Sequence, residues 1–285
     1  MISKFVPTKD IKQAIKGIIE DEGISSFLDL FEDDVATYKE ASAQIDLDRA
    51  GSKRIATYIC HAPKYHVLKY CVSDPSVEKR ANILTILTDK ENGDHIIFDG
   101  TGLSHFRTAV VAVNQLRRYA PLDSKTLILG RGPIGTYVNW ILKEIDYSEP
   151  TMVGRNFDNF FENYNAMVVA VTEDTPEPLW HIQDFFKGKS KAVVIDLTRH
   201  AFTLEGPMSM VIANEKQLEW DTKVIEYMED TETKPYLMNH FLTTKDNIYV
   251  RLPGSITWDV KVLEAIFTRC KGNYLGLETG NPDVL

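Results

Sequence analysis

Three glycines whose spacing could do chemistry stand near the middle of this 285-residue chain: Gly130, Gly132 and Gly135 in LILGRGPIGTYV, a G-x-G-x-x-G run. The first permits a sharp turn, the second lets the backbone approach a pyrophosphate, and the third lets a helix pack closely on a strand. Pro133 and Ile134 complete the turn and belong to the same cofactor-binding set. Phosphates held there would face the positive end of the following helix. Three glycines can also merely shape a tight loop. Here an apolar strand pattern precedes them and a helical one follows, which is the context that a dinucleotide site requires.

Twenty residues past Gly135, at the end of PTMVGRN, an acid would be expected to take the ribose hydroxyls of NAD. Arg155 stands there instead, and a guanidinium pairs well with a 2′-phosphate. NADP(H) is therefore the favoured cofactor. NAD(H) stays open, because Asp158 is close by and an arginine at a strand end is often only solvated. A second cation, Lys69, sits in the apolar strand pattern HVLKYCV. A lysine buried in such surroundings costs several kcal/mol unless it is paired, so it points to a partner such as a bound carboxylate. Strand alternation also allows it to face solvent. His61 and His200 are possible proton donors, although a single histidine is more often a core or surface residue.

The elements that must position these groups are legible as two textures. Residues 8–35 have helical spacing, with Ile11, Ala14, Ile15, Ile18 and Ile19 on one face after Thr8 as N-cap. From about 40 to 100, short β-rich runs follow one another, with Asn92-Gly93 as a hairpin turn, which predicts an antiparallel or mixed sheet. After residue 104 the chain becomes helix, strand, helix, strand: an α/β texture with parallel strands in NAMVVAV, KAVVIDL and NIYVRLPGS. A variable stretch runs to about 245, and TWDVKVLEAIFTRCKG closes the pattern as a helix that returns to the first domain.

Composition excludes several classes. Hydrophobic residues make up 44% and charged residues 26%, a globular balance. The net charge of −9 disfavours nucleic acid as a partner. Cys60, Cys71 and Cys270 form no metal-ligand or disulfide pattern, so no metal site is expected. No apolar run is long enough to span a bilayer, and no leader is evident, which predicts a cytoplasmic protein without membrane contact.

The stretch NGDHIIFDGTGLSHFRTAVVAV resembles the ornithine cyclodeaminase/mu-crystallin family, whose members carry D-G-T-x-L-T-x-x-R-T-A-A. Asp99, Gly100, Thr101, Leu103, Ser104, Arg107, Thr108 and Ala109 fall on that pattern. LPGSITWDV is similar to the family's S-L-G-x-A-x-x-D segment, with Gly254, Ile256 and Asp259 in register. Lys69 matches a strand lysine, and VGRN is similar to a strand-end S-R that supports Arg155. The matches run in order from about residue 45 to 270. There are departures as well: the chain is short between Lys69 and the hairpin, the turn reads G-R-G-P-I-G rather than G-x-G-x-Q-A, and the family's N-A-V-G-A-D aspartate has no clean counterpart in VVIDLTRHAF.

The resemblance implies a Rossmann dinucleotide-binding domain over 105–257. It also implies a mixed α+β substrate and dimerisation domain made of 1–104 and 258–285, within a homodimer. It implies that Lys69, Arg107 and Arg49 bind the carboxylate of a small amino acid or imine, with Arg54 the other choice for the third position. Lys69 and Asp196 become the catalytic candidates, Asp196 standing in for the family aspartate. Thr108 and Gly254 join Gly130, Gly132, Pro133, Ile134, Gly135 and Arg155 as cofactor-binding residues. The expected activity is NADPH-dependent reduction of an imine or dehydroamino acid, or the reverse amino-acid dehydrogenation. A cyclodeaminase with a recycled nicotinamide and a binding protein without turnover are the alternatives.

Overall fold

A computed structural model describes residues 3–32, 39–46, 54–73, 81–91, 93–147, 149–154, 157, 161–171, 178–198, 201–213, 217–218, 221–238, 246–252, 254–267 and 269–270. The chain divides into two compact units, Met1–Arg107 with Ile256–Leu285, and Thr108–Ser255. No described helix is long and apolar enough to cross a membrane.

The first unit opens with β1 (Ser3–Val6), α1 (Thr8–Glu22) and α2 (Ser25–Asp29). It continues through β2 (Lys39–Asp46), β3 (Arg54–His61), β4 (Tyr65–Ser73), β5 (Ala81–Asp89) and β6 (His95–Asp99). Helix α3 (Gly100–Tyr119) starts in it and ends in the second unit. The strands form a six-stranded sheet ordered β1-β6-β5-β4-β3-β2. It is mixed, as the short polar turns predict, because β1 pairs with β6 in parallel while the other neighbours are antiparallel. Asn92 lies outside the described residues, but Gly93 takes the positive φ of 74° that the β5–β6 turn demands. Thr8 is not the cap of α1. Pro7 holds that place, and the Thr8 hydroxyl donates instead to Asp99 Oδ2 at 2.6 Å, a stronger acceptor at the end of β6.

The second unit contains β7 (Thr126–Leu129), α4 (Pro133–Glu144), β8 (Thr151–Val153) and β9 (Ala166–Val169). These lead to β10 (Trp180–His181), α5 (Ile182–Phe186), β11 (Val193–Asp196) and β12 (Phe202–Thr203). The stretch read as variable adds β13 (Ser209–Ile212), α6 (Thr222–Thr231) and β14 (Tyr236–Leu237) before β15 (Ile248–Arg251). Seven strands form an all-parallel sheet ordered β14-β13-β15-β11-β9-β7-β8. Its middle strands are buried throughout, which is why they read as unbroken apolar runs. The last helix, α7 (Ile256–Phe267), belongs to the first unit: Thr257 meets Cys60 and Phe267 lies 5.6 Å from the Tyr65 ring.

Candidate functional site

In the first unit, β4 alternates strictly, with Tyr65, Val67 and Lys69 buried and His66, Leu68 and Tyr70 exposed. Lys69 therefore faces inward and does not reach solvent. The partner that its burial demands is a carboxylate of the same chain: Lys69 Nζ lies 2.8 Å from Asp259 Oδ2 on α7. Arg107 Nε lies 3.1 Å from the other oxygen of Asp259. Ser104 accepts from both cations, at 3.2 Å from Lys69 Nζ and 3.4 Å from Arg107 Nη2. The Arg107 guanidinium also stands 5.6 Å from the centre of the Trp258 ring.

The D-G-T run explains why Ser104 and Arg107 arrive over Lys69. Asp99 Oδ1 accepts from the Thr101 amide, and the Ile83 amide donates to Thr101 Oγ1, so the first turn of α3 is pinned to β5. A Cβ on Gly100 would stand 2.6 Å from Thr85 Oγ1 and 2.8 Å from Ile83 Cγ2, so only glycine lets α3 begin this close. From that start Ser104 and Arg107, three residues apart, share one face of the helix. Thr85 is the register partner of Lys69 on β5.

Burial dominates the electrostatics. It pushes the Lys69 ammonium below the usual lysine range, and the adjacent Asp259 only partly restores it. Burial also opposes ionisation of Asp259, yet Arg107, Lys69 and their hydrogen bonds win and hold its carboxyl below the usual range. His105 is lowered by burial, then by Arg107 and Lys69, and so stays neutral. The buried cluster thus pairs two cations with one carboxylate. Among the described residues, Arg107 Nη1 and Thr85 Oγ1 are buried polar atoms without a hydrogen-bond partner. Neither atom could have been singled out in the sequence. Asp259 stands in the second matched segment, LPGSITWDV, but nothing in the sequence assigns it a role beside the two cations.

In the second unit the glycines divide their labour. Gly130 has φ 126°, and a Cβ there would stand 2.4 Å from Ala170 O. A Cβ on Gly135 would stand 2.0 Å from Gly130 O, so glycine is what lets α4 close on the turn. Gly132 faces open space, and it caps α4 without a side chain, ahead of Pro133 and the half-buried Ile134. Two tight glycines and one open one fit a pyrophosphate laid against the helix start. Thr108, on α3, is buried. Gly254 takes φ 107° between β15 and α7.

Asp196 ends β11 in the second unit and is fully buried. Its Oδ1 accepts from the amide and the hydroxyl of Thr198, at 2.8 and 2.6 Å. Its Oδ2 accepts from the Tyr249 hydroxyl and from Arg251 Nη1. Arg251 also reaches Asp221 at 2.6 Å. Burial raises the Asp196 carboxyl despite Arg251 and these hydrogen bonds. His61 is exposed and bonds to His66, on the sheet face opposite Lys69. Arg49, Arg155, Asp158 and His200 lie outside the described residues, and so does the Arg54 side chain.

No protein-family model matches the chain, and no curated protein matches it. Solved structures of the same fold do. An archaeal alanine dehydrogenase dimer with bound NAD is 11% identical and superposes with a TM-score of 0.70, over 97% of this chain and all of that one. A Thermococcus litoralis Δ1-pyrroline-2-carboxylate reductase in complex with NADH and L-proline is 13% identical, with a TM-score of 0.70 over 93% and 97% of the two chains. A probable ornithine cyclodeaminase from Bordetella pertussis Tohama I is 15% identical, with a TM-score of 0.69 over 94% and 96%.

Proposed function

We propose that this protein is an NADPH-dependent reductase of a carboxylate-bearing imine or dehydroamino acid, also able to run the reverse amino-acid dehydrogenation. One observation carries the reading: a buried cluster of two cations and one carboxylate in which Arg107 Nη1 has no partner among the described residues. A buried guanidinium proton left unpaired is costly, and a ligand carboxylate would satisfy it. The likeness to a reductase that holds NADH and L-proline, both at the level of fold, supports the same chemistry.

A bound nicotinamide would supply a hydride to the carbon of a substrate C=N bond while the nitrogen takes a proton, giving an amine. Arg107 and Lys69 hold the substrate carboxylate, and Ser104 fixes the two cations relative to each other. Lys69, whose proton burial loosens, is the proton donor. The glycine turn, with Pro133 and Ile134, holds the pyrophosphate, and Arg155 reads the 2′-phosphate of NADPH. Thr108 and Gly254 remain proposed cofactor contacts. Asp196, with both oxygens taken and no exposure, is assigned a structural role instead of a catalytic one.

The active form is a homodimer in the cytoplasm. Ile59, Leu68, Tyr70 and Leu84, each 37–40% exposed, share the outer face of the six-stranded sheet, where Ile59 pairs with Leu68 and Tyr70 with Leu84. Such a face suits a second copy of the chain, and the archaeal alanine dehydrogenase of the same fold is a dimer.

The test is a screen of cyclic and linear imines with NADPH, following nicotinamide absorbance, in the native protein and in Lys69→Met. The native protein consumes NADPH. In Lys69→Met, turnover falls by about 10² or more while NADPH affinity survives. Turnover without net NADPH consumption would identify a cyclodeaminase, and ligand binding without turnover a binding protein. Equal turnover in both proteins would remove Lys69 from the site.

A further inference from the structure

Asp259 does more than neutralise a buried lysine. It contacts both cations of the proposed carboxylate site, one with each oxygen, and both contacts are direct, at 2.8 and 3.1 Å. It is 1% exposed, so its charge is not screened by water. With Lys69 and Arg107 positive and Asp259 negative, the described cluster carries one net positive charge, and His105 adds none because burial and the two cations keep it neutral.

Resting on the carboxylate reading above, we propose that Asp259 is a specificity-determining residue that fits the site to a substrate with one carboxylate and selects against a second negative charge beside it. The physical reason is arithmetic. A single carboxylate brings the buried cluster to neutrality, whereas a dianion leaves it with a net negative charge in a medium that solvates charge poorly. The second charge also meets the Asp259 carboxylate, and at a few ångströms in a protein environment such a repulsion amounts to about a tenfold or larger factor in affinity. Substrates of the monocarboxylic class, such as cyclic ketimine carboxylates derived from amino acids with neutral or cationic side chains, satisfy this balance. Imines of acidic amino acids, with a second carboxylate nearby, do not.

Oxamate and oxalate make the matched probes, since they share size and shape and differ by one charge. Their dissociation constants are measured by calorimetry on the full chain with NADPH present. In Asp259→Asn, the ratio of the oxalate to the oxamate dissociation constant should fall by about tenfold or more relative to native protein. In the double variant Lys69→Met with Asp259→Asn, one cation and one anion are gone together and the ratio should return to within a few-fold of native. Should Asp259→Asn alone fail to give a cooperative melt, the comparison is Lys69→Met against that double variant, and the same fall is expected. A ratio unchanged by loss of Asp259, while oxamate binding still depends on Arg107 and Lys69, overturns the specificity role and leaves the carboxylate reading standing. Oxamate binding that is absent, or equal in native, Arg107→Met and Lys69→Met proteins, overturns the carboxylate reading itself.

Discussion

Lys69 and Asp259 are 190 residues apart in the chain and 2.8 Å apart in the fold, with neither side chain more than 6% exposed. A pair this well buried is weak evidence for stability when intact, but removing one member leaves the other charged and unsolvated. Arg107 makes the case sharper, because Asp259 is the carboxylate both cations share.

The pair sets an acid limit. The Asp259 carboxyl is held below its usual range, so at a pH between its folded value and the ordinary carboxylate value of about 3.9 the unfolded chain binds more protons. Its contribution is fully present above that ordinary value and is lost as pH falls through the folded one. Asp259→Asn should cost about 3–5 kcal/mol near neutral pH, and the difference from native protein should shrink on acidification below about 3.9. Urea unfolding at stepped pH measures it. A difference that stays constant to the lowest accessible pH would show that the carboxylate charge is not what stabilises the pair.

The glycine turn separates space from strain. Gly135→Ala puts a Cβ 2.0 Å from Gly130 O, so α4 must move, and the variant should lose about 1–3 kcal/mol along with dinucleotide affinity. Gly132→Ala meets nothing within 4 Å, and it should melt with the native protein while binding NADPH more weakly. Thermal melts and calorimetric titration of both variants give the answer, and full NADPH affinity in Gly132→Ala would remove the pyrophosphate from that position.

Arg155 should discriminate between the two nicotinamide cofactors. Arg155→Asp loses a charge-assisted contact worth roughly 1.5–3 kcal/mol and gains a repulsion, so NADPH should weaken by tenfold or more while NADH changes little. Titration with both cofactors decides it. Native protein that binds NADH and NADPH alike, with a mutant that alters neither, would assign the 2′-phosphate elsewhere.

The outer sheet face should govern assembly. Leu68 is 38% exposed opposite Ile59, so Leu68→Glu places charges in the middle of the proposed dimer contact without touching the buried row that holds Lys69. Sedimentation at micromolar concentration should show dimer for the native chain and monomer for the variant, with NADPH binding retained. Monomer in both samples would leave that face without a partner copy.

What the sequence determined by itself was whatever depends on neighbours along the chain. The glycine turn between an apolar strand and a helix, and the succession of short strands before an α/β half, were both legible, because each arises from steric or periodic rules acting over a few residues. Strand alternation left Lys69 free to face either way, and the fold turned it inward. The resemblance added Lys69 and Arg107 as partners in one function. Tertiary structure alone decided what those cations are paired with. Asp259 arrives from the opposite end of the chain, through a helix that returns to the first unit. Thr8 looked like a helix cap until Asp99, 91 residues away, proved to be the better acceptor. Asp196 offered itself as a stand-in for the family aspartate; Thr198, two residues on, takes its Oδ1, and only the arrival of Tyr249 and Arg251 on the adjacent strand β15 occupies its Oδ2. Net charge in a buried cluster is a sum over groups that sequence distance keeps apart. No local pattern encodes it, and only folding brings its members close enough to share one low-dielectric space.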